Sequence, residues 1–181
     1  MQIVILNGSP RRNGNTRTAL TQIISGIQKN IPSAEFELID VADLHLMGCT
    51  NCDACKTNGG VCIQEDDSAK LIEKIAAGDL IIFGTPVYWW GVSAQLKLAI
   101  DKFYSQAELF HTQPKRVGLV VVGASAITDI EYQLISEQFE CICDYLGWSI
   151  IFDESISAFA EGDVAKNTDV MKRLEKLWTE V

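Results

Sequence analysis

The chain has 181 residues, of which 48% are hydrophobic, which suits a single globular domain with a substantial buried core. Its formal net charge of −9 argues against a nucleic-acid-binding protein and against docking on an anionic membrane surface. No apolar stretch reaches the ~18 residues of a membrane span, and no basic residues precede the short N-terminal apolar run, so we expect no secretory signal. A cytoplasmic location is therefore expected, where clustered cysteines more often serve metal or redox chemistry than structural disulfides.

Short apolar runs alternate along the chain with segments of helical periodicity. The first run, residues 3–6, stops at the breaker Asn7-Gly8-Ser9-Pro10, and a helical pattern of apolar residues begins at Thr16. A strand over residues 36–39 and a long loop follow, and Ser68 is expected to cap the next helix. The later predicted strands span residues 80–83, 117–122 and 148–152. The later predicted helices span residues 93–103, 130–146 (ended by Gly147) and 163–178.

This alternation predicts an α/β fold, a flavodoxin-like, doubly wound, five-stranded parallel sheet of order 2-1-3-4-5 with helices on both faces. Neither a repeat nor a linker interrupts the pattern, so residues 1–181 are predicted to form a single domain with a cysteine-rich loop at residues 45–67. Ligands of such sheets bind beyond the carboxyl ends of the strands, where the strand order reverses. The loops after strands 1, 3 and 4 are therefore the expected site.

The loop between strand 1 and helix 1 has the groups that bind a phosphate: side-chain donors, a glycine that permits close approach, and a positive charge. The predicted phosphate-binding residues are Ser9, Arg11, Asn13, Gly14, Asn15 and Thr16. The alternative is an ordinary turn whose polar residues only cap the helix. The loop lacks the G-x-x-x-x-G-K-[ST] and G-x-G-x-x-G patterns and any cysteine, which excludes P-loop nucleotidases, dinucleotide fingerprints and cysteine phosphatases.

A second motif follows strand 3, where residues 84–97 read GTPVYWWGVSAQLK. Together with residues 7–16, it resembles the NAD(P)H-dependent FMN reductase family, with the expected spacing and over most of the chain. The resemblance implies an FMN-binding domain that takes electrons from NADH or NADPH and passes them to a quinone, a nitro or azo compound or a flavin. It also implies a homodimer or a higher homo-oligomer.

A flavin ring needs backbone amides along its polar edge and apolar cover on a face. The predicted ring-binding residues are Pro86, Val87, Tyr88, Trp89 and Gly91, with Ala124 and Ser125 from the loop after strand 4. Packing beneath a loop or at a subunit interface is the alternative for the aromatic residues. Ser93 is interpreted as the cap of the next helix rather than as a reacting group.

Four cysteines, Cys49, Cys52, Cys55 and Cys62, have the spacing C-x2-C-x2-C-x6-C. Two-residue gaps let successive thiolates surround one centre, although the last gap is longer than in ferredoxins. The spacing resembles that of iron–sulfur flavoproteins, an FMN-containing branch, and so implies these four as ligands of a [4Fe–4S] cluster that passes electrons to a protein partner. A related branch without a cluster, a four-cysteine zinc site and a disulfide remain open.

No catalytic side chain is predicted. His45 and His111 are interpreted as surface residues, and Cys141 and Cys143 as core or boundary packing in their helix. The lack of an acid–base pair agrees with hydride chemistry, in which the cofactor reacts and the protein positions it. The alternative function is a non-enzymatic FMN-binding redox sensor or electron carrier without NAD(P)H turnover.

Overall fold

The computed structural model describes residues 1–181, and five strands form its single sheet. The strands are β1 (Gln2–Asn7), β2 (Glu35–Asp40), β3 (Leu80–Pro86), β4 (Arg116–Gly123) and β5 (Ser149–Ser157). Their order is β2-β1-β3-β4-β5, and every neighbouring pair is parallel. The predicted doubly wound topology is therefore confirmed.

Eight α-helices and three 3-10 segments accompany the sheet. The helices are α1 (Asn15–Asn30), α2 (Ala54–Thr57), α3 (Ser68–Ala77), α4 (Ala94–Asp101), α5 (Ala107–His111), α6 (Ile130–Leu146), α7 (Asp163–Lys166) and α8 (Thr168–Lys176). The 3-10 segments are Val41–Asp43, Lys102–Gln106 and Leu177–Glu180. None of the helices combines the length and the apolar character needed to cross a membrane.

Alternate side chains of the strands enter two separate apolar layers. Along β1, Val4 and Leu6 share one layer with residues of α3, α4 and α6, whereas Ile3 and Ile5 share the other with residues of α1 and α8. Both faces of the strand are thus covered, which explains why its sequence is a continuous apolar run. The carboxyl ends of all five parallel strands face one edge, where their loops gather.

Several element ends differ from the sequence prediction; β3, for example, continues to Pro86 instead of ending at residue 83. Ser68 is the first residue of α3 and Asp67 precedes it, so Ser68 is not the cap, and its buried hydroxyl makes no hydrogen bond. The predicted last helix is broken at Asn167, whose side chain accepts a hydrogen bond from the N–H of Val170 and so caps α8. Strand β5 continues to Ser157 instead of ending at residue 152.

The minor side-chain predictions had mixed outcomes. Gly147 adopts φ 68° and ends α6, as predicted. His45 and His111 are both exposed, but His111 ends α5 rather than lying in a loop. Cys143 belongs to the buried face of α6, whereas Cys141 lies off that face and is exposed.

Gly26 allows α1 and α8 to approach closely. A Cβ atom at this position would lie 2.1 Å from the carbonyl oxygen of Glu175, and a backbone atom cannot rotate aside. We expect Gly26→Ala to lower the free energy of unfolding by about 1–3 kcal/mol, the usual cost of overpacking. Chemical denaturation measures it, with Ser25→Ala at an exposed position of the same helix as the control. Equal stability of Gly26→Ala and the wild type would contradict the close approach.

Candidate functional site

A cavity opens at the carboxyl edge of the sheet, between the loops that follow β1, β3, β4 and β5. We call residues 8–16 the phosphate loop and residues 86–91 the aromatic loop. Both loops line the cavity. Its lining residues are Ser9, Arg11, Gly14, Asn15, Thr16, Pro86, Val87, Tyr88, Val122, Gly123, Ala124, Ala158 and Phe159.

Hydrogen bonds hold the phosphate loop in one conformation. The N–H of Gly8 donates to the carbonyl of Gly84 at 2.8 Å, which joins the loop to β3. Ser9 is buried; its N–H donates to Asn7 Oδ1 at 3.2 Å, and its Oγ accepts from the N–H of Arg11 at 3.2 Å. These bonds fix the path of the loop between β1 and α1.

The N-terminus of α1 presents free donors to this cavity. Gly14 precedes the helix and supplies no side-chain cap. The backbone N–H groups of Asn15, Thr16 and Arg17 have no acceptor within the chain. Unpaired amides and the helix dipole together favour an anion at this point.

Only one arginine of the phosphate loop is free to meet a ligand. Arg12 pairs with Asp43 at 2.8 Å, and Arg17, in the first turn of α1, pairs with Asp40. Burial of Asp40 favours its neutral form, but hydrogen bonds from Arg17 and Asn7 outweigh this and hold its pKa below the usual value. Arg11 lines the cavity and makes no ion pair, so its charge is available to a ligand there.

The aromatic loop contains a tight two-residue turn. Tyr88 and Gly91 exchange two backbone hydrogen bonds, of 2.9 and 3.1 Å, and the residues between them, Trp89 and Trp90, adopt φ of 48° and 59°. Turns with two positive φ angles favour Asn and Gly, and left-handed backbone costs a bulky residue free energy. The two indole rings, 5.9 Å apart between centroids, are 91% and 52% exposed.

Ser93 connects the two loops. Its Oγ accepts from the N–H of Leu96 at 3.2 Å and so caps α4, as predicted. The same Oγ donates to the carbonyl of Gly8 at 2.6 Å, and the N–H of Ser93 donates to Thr85 Oγ1 at 3.1 Å. Beyond its capping role, this buried serine fixes the phosphate loop relative to the start of α4.

The cavity brings together most, but not all, of the predicted cofactor-binding residues. Those that line it are Ser9, Arg11, Gly14, Asn15, Thr16, Pro86, Val87, Tyr88 and Ala124. Those that lie outside it are Asn13, Trp89, Gly91 and Ser125. Asn13 is exposed on the outer side of its loop, and the turn carries Trp89 and Gly91 away from the lining.

The loop after β5 was missed by the sequence analysis. Ala158 and Phe159 line the cavity, and the phenyl ring of Phe159 is 84% exposed at its rim. Asn15 joins this loop to α1, because its side-chain amide donates to Ala160 O at 2.8 Å and accepts from the N–H of Val164 at 3.3 Å. An aromatic residue just after a strand would have been the signal, but strand 5 was predicted to end several residues earlier.

A second cavity is formed by the cysteine-rich loop and the segment after α4. It is lined by Cys49, Cys52, Cys55 and Cys62, together with Thr50, Asn51, Asp53, Ile63, Gln64, Asp101, Lys102, Tyr104 and Ser105. All four thiols are free. No three Cys, His, Asp or Glu side chains lie close enough together to hold one metal ion. The four thiols thus share one cavity without converging on one point.

Tyr104 holds the cysteine-rich loop against the 3-10 segment after α4. Its hydroxyl donates to Asp53 Oδ1 at 2.7 Å, and this bond chiefly raises the pKa of Tyr104 to about 12. The Lys56 ammonium lies 4.0 Å from the centre of the Tyr104 ring and donates to Tyr104 O at 2.7 Å. Asn51 and Asp53 have φ of 53° and 56°, so the chain turns tightly between the first three cysteines.

A buried ion pair lies beneath the same loop. Lys102 Nζ is 2.8 Å from Asp66 Oδ2, and the two side chains are 2% and 0% exposed. Asp66 also accepts hydrogen bonds of 2.9 Å from the N–H groups of Met47 and Ser68. Burial alone would raise the pKa of Asp66, but the bonds from Lys102, Ser68 and Met47 lower it to about 2.

This pair predicts acid-sensitive stability. The pKa of Asp66 is about 2 in the folded protein against an ordinary 3.8, so its stabilising effect is complete above pH 4 and is lost as the pH falls towards 2. We expect Asp66→Asn to lower the free energy of unfolding by about 2 kcal/mol at pH 6. The difference in the free energy of unfolding between the wild type and the variant should shrink between pH 4 and pH 2, as measured by denaturation at a series of pH values. A deficit independent of pH would contradict an ionised, paired Asp66.

Comparison with known proteins identifies the chain's relatives. Residues 1–143 match the family model described as NADPH-dependent FMN reductase. The chain belongs to this family. A Bacillus subtilis protein named as an NAD(P)H-dependent FMN-containing oxidoreductase is 31% identical over 158 residues, which cover 82% of this chain and 81% of that protein.

Other relatives of this FMN reductase family member are named as iron–sulfur flavoproteins. One from Methanocaldococcus jannaschii is 38% identical over 69% of this chain and 63% of its own length, and one from Clostridioides difficile is 34% identical over 63% and 51%. The matched segment thus spans about half to two thirds of those proteins. A solved structure, the Trp repressor binding protein from Bacillus subtilis, aligns with a TM-score of 0.70 and 25% identity over 98% of both chains.

FMN, the cofactor that the family implies, fits the first cavity. The free amides of Asn15 and Thr16, the dipole of α1 and the unpaired Arg11 supply what a phosphate needs. In the same cavity, Pro86 and Tyr88 supply apolar cover and backbone groups suited to a flat ring. The groups suited to a phosphate and those suited to the ring thus line one cavity.

A [4Fe–4S] cluster fits the second cavity in its donor chemistry. Four thiols, the ligands that such clusters require, line the same space. A buried ammonium also faces that space, which suits a centre with a negative charge.

Proposed function

We propose that the chain is an NAD(P)H-dependent FMN oxidoreductase whose cysteine-rich loop binds a [4Fe–4S] cluster. One observation carries the flavin part: the free amides of α1 and the unpaired Arg11 open into the same cavity as the aromatic loop. Other helices of the chain, such as α3 and α6, also begin without a side-chain cap, but α1 begins in a cavity that an unpaired arginine also lines, and this combination favours a bound anion. Membership of the FMN reductase family supports the assignment.

The side chains have positioning roles in this proposal. Bound FMN supplies the redox chemistry, because its ring accepts a hydride from NADH or NADPH and reduces an acceptor. Ser9, Thr16 and the free amides bind the phosphate, and Arg11 balances its charge. The backbone of residues 86–88 orients the ring edge, and Phe159 offers an aromatic surface at the same cavity. No side chain is needed as a proton donor.

The proposed acceptors are flat and aromatic or conjugated. Tyr88 of the aromatic loop and Phe159 both line the cavity, and both side chains are exposed. Such a surface favours quinones, nitro and azo compounds and free flavin over aliphatic acceptors. Two structures of similar fold, described as an NAD(P)H:quinone oxidoreductase and an azoreductase, agree with this class.

The proposed cluster provides a second route by which electrons leave the flavin. We infer that Cys49, Cys52, Cys55 and Cys62 are its ligands and that the exposed cysteine-rich loop contacts a protein acceptor. The names of the iron–sulfur flavoproteins support this inference. The single FMN-binding domain over residues 1–181 and a homodimeric assembly remain predictions from the sequence.

Anaerobic purification followed by a visible spectrum and iron analysis tests the proposal. We expect flavin bands with a broad brown shoulder and about four irons and four sulfides per chain. Steady-state assays with NADH and NADPH should show turnover with quinone or azo acceptors. Flavin without iron would leave a simple FMN reductase, and bound flavin without any turnover would favour the redox sensor. A colourless protein that takes up no added FMN would overturn the assignment.

Replacement of a single cysteine tests whether that residue is a ligand of the proposed cluster. We expect Cys62→Ser to lose most of the iron and sulfide, because a cubane cluster needs four ligands and the weaker serine oxygen replaces one of them. FMN content should not change, since Cys62 lies in the second cavity. Cys141→Ser, at an exposed cysteine of α6, is the control and should keep its iron. Equal iron in both variants would exclude Cys62 as a ligand.

A further inference from the structure

Lys102 is an unusual residue for its position. Its side chain is 2% exposed, and its partner Asp66 has no exposed side-chain surface. Burying two charges costs more free energy than an apolar pair of the same volume would, so a buried pair is weak support for a purely structural role. The location of Lys102 directly beneath the cysteine-rich loop suggests a role in that site.

The contacts of the ammonium point towards one cysteine. Lys102 Nζ donates to Gln64 Oε1 at 2.6 Å and to Asp66 Oδ2 at 2.8 Å, and Cys62 Sγ lies 3.7 Å away. The first two contacts come from residues that follow Cys62 closely in the chain. One ammonium thus fixes the backbone after Cys62 and places a positive charge beside its sulfur.

The ammonium is carried by a rigid element. Lys102 begins the 3-10 segment that continues α4, and Ser93 anchors the opposite end of α4 to Gly8 of the phosphate loop. The backbone position of Lys102 is therefore set by the same helix that is anchored to the phosphate loop. A charge held this way acts on its neighbour in a fixed, water-poor setting, where electrostatic effects are strong.

We propose that Lys102 is a positioning residue that orients Cys62 and raises the reduction potential of the cluster. The proposal rests on the cluster assigned above. Reduction adds one electron to the cluster without making or breaking a bond, and a nearby positive charge favours the more negative product. Cluster potentials respond in this way to local charge and to hydrogen bonds at the cysteine sulfurs.

The test measures midpoint potentials of anaerobically purified holoprotein by EPR-monitored redox titration. Lys102→Met should lower the equilibrium constant for one-electron reduction at least tenfold, which corresponds to about 59 mV. Lys102→Arg keeps the positive charge and should shift the midpoint potential much less. Lys172→Met removes an exposed lysine of α8 that lies outside the cysteine cavity, and it should leave the potential unchanged.

Asp66→Asn supplies a second variant with the opposite sign. It removes the negative partner and keeps the ammonium, so the potential should rise. If Lys102→Met does not fold, as judged by circular dichroism and FMN content, Lys102→Gln decides the matter, because it removes the charge and keeps a hydrogen-bond donor. A potential unchanged in the folded variants, with full iron content, would overturn the role of Lys102 and leave the cluster intact. A wild-type protein without iron would overturn the cluster itself, and the role of Lys102 with it.

Discussion

Replacement of Arg11 by Glu is expected to weaken FMN binding at least about 100-fold, which is about 2.8 kcal/mol. The substitution removes the one unpaired arginine of the phosphate loop and puts a carboxylate where the phosphate would lie. A like charge at a binding site costs several kcal/mol. Fluorescence quenching on titration of apoprotein with FMN measures the dissociation constant, and added riboflavin, which lacks the phosphate, should bind the variant and the wild type alike.

Arg12→Glu is the matched control for this prediction. It makes the same change of charge one residue later, at a side chain that pairs with Asp43 and lies outside the cavity. We expect its FMN affinity to stay within about threefold of the wild type, since an exposed pair contributes little. Equal losses in both variants would mean that net charge, rather than a contact from Arg11, governs FMN binding.

The phosphate loop could be predicted because its groups are close in sequence. Ser9, Arg11 and Gly14 belong to one strand-to-helix connection, and the parallel sheet fixes where such a connection lies. The aromatic loop could be placed at the same edge of the sheet for the same reason, because it follows β3, the strand next to β1. The chemistry of the local sequence and the topology of the sheet together were enough to predict that these two loops line the cavity.

Features that depend on tertiary contacts could not be predicted in this way. The length of β5 is set by pairing with β4 as far as Gly123, so the sequence pattern ended the strand too early and hid Phe159. Lys102 is an ordinary lysine near a helix end in the sequence, and only the folded chain places it beside Cys62. The first N–H groups of α1 are free because Gly14 has no side chain that could cap them. The sequence shows the glycine, but it does not show whether another residue caps the helix instead.

The helix α4 joins the two candidate sites in a manner that the sequence did not indicate. Its first turn is anchored to the phosphate loop through Ser93, and the segment that continues it carries Lys102 and Tyr104 to the cysteine cavity. A change at one cavity that shifts this helix would therefore be transmitted to the other.

The turn at Trp89 and Trp90 gives the second prediction. Each tryptophan has a positive φ, which costs a residue with a Cβ roughly 1–2 kcal/mol, whereas Asn and Gly are the preferred pair for such a turn. The indole contact that would be lost contributes about 0.5–1.5 kcal/mol. We therefore expect the double variant Trp89→Asn/Trp90→Gly to be more stable by about 1–2 kcal/mol, with a Tm about 2–8 °C higher.

The same variant should be a poorer enzyme. Strained, exposed residues persist where function requires them, and the two tryptophans directly follow Tyr88, which lines the proposed FMN cavity. We expect unchanged FMN affinity but at least a tenfold rise in KM for quinone or azo acceptors. Phe159→Asn, which removes an exposed aromatic residue of the cavity without relieving backbone strain, should raise KM with no gain in Tm. A double variant with wild-type kinetics would show that the two tryptophans serve another contact, and one without a gain in Tm would show that their backbone is not strained.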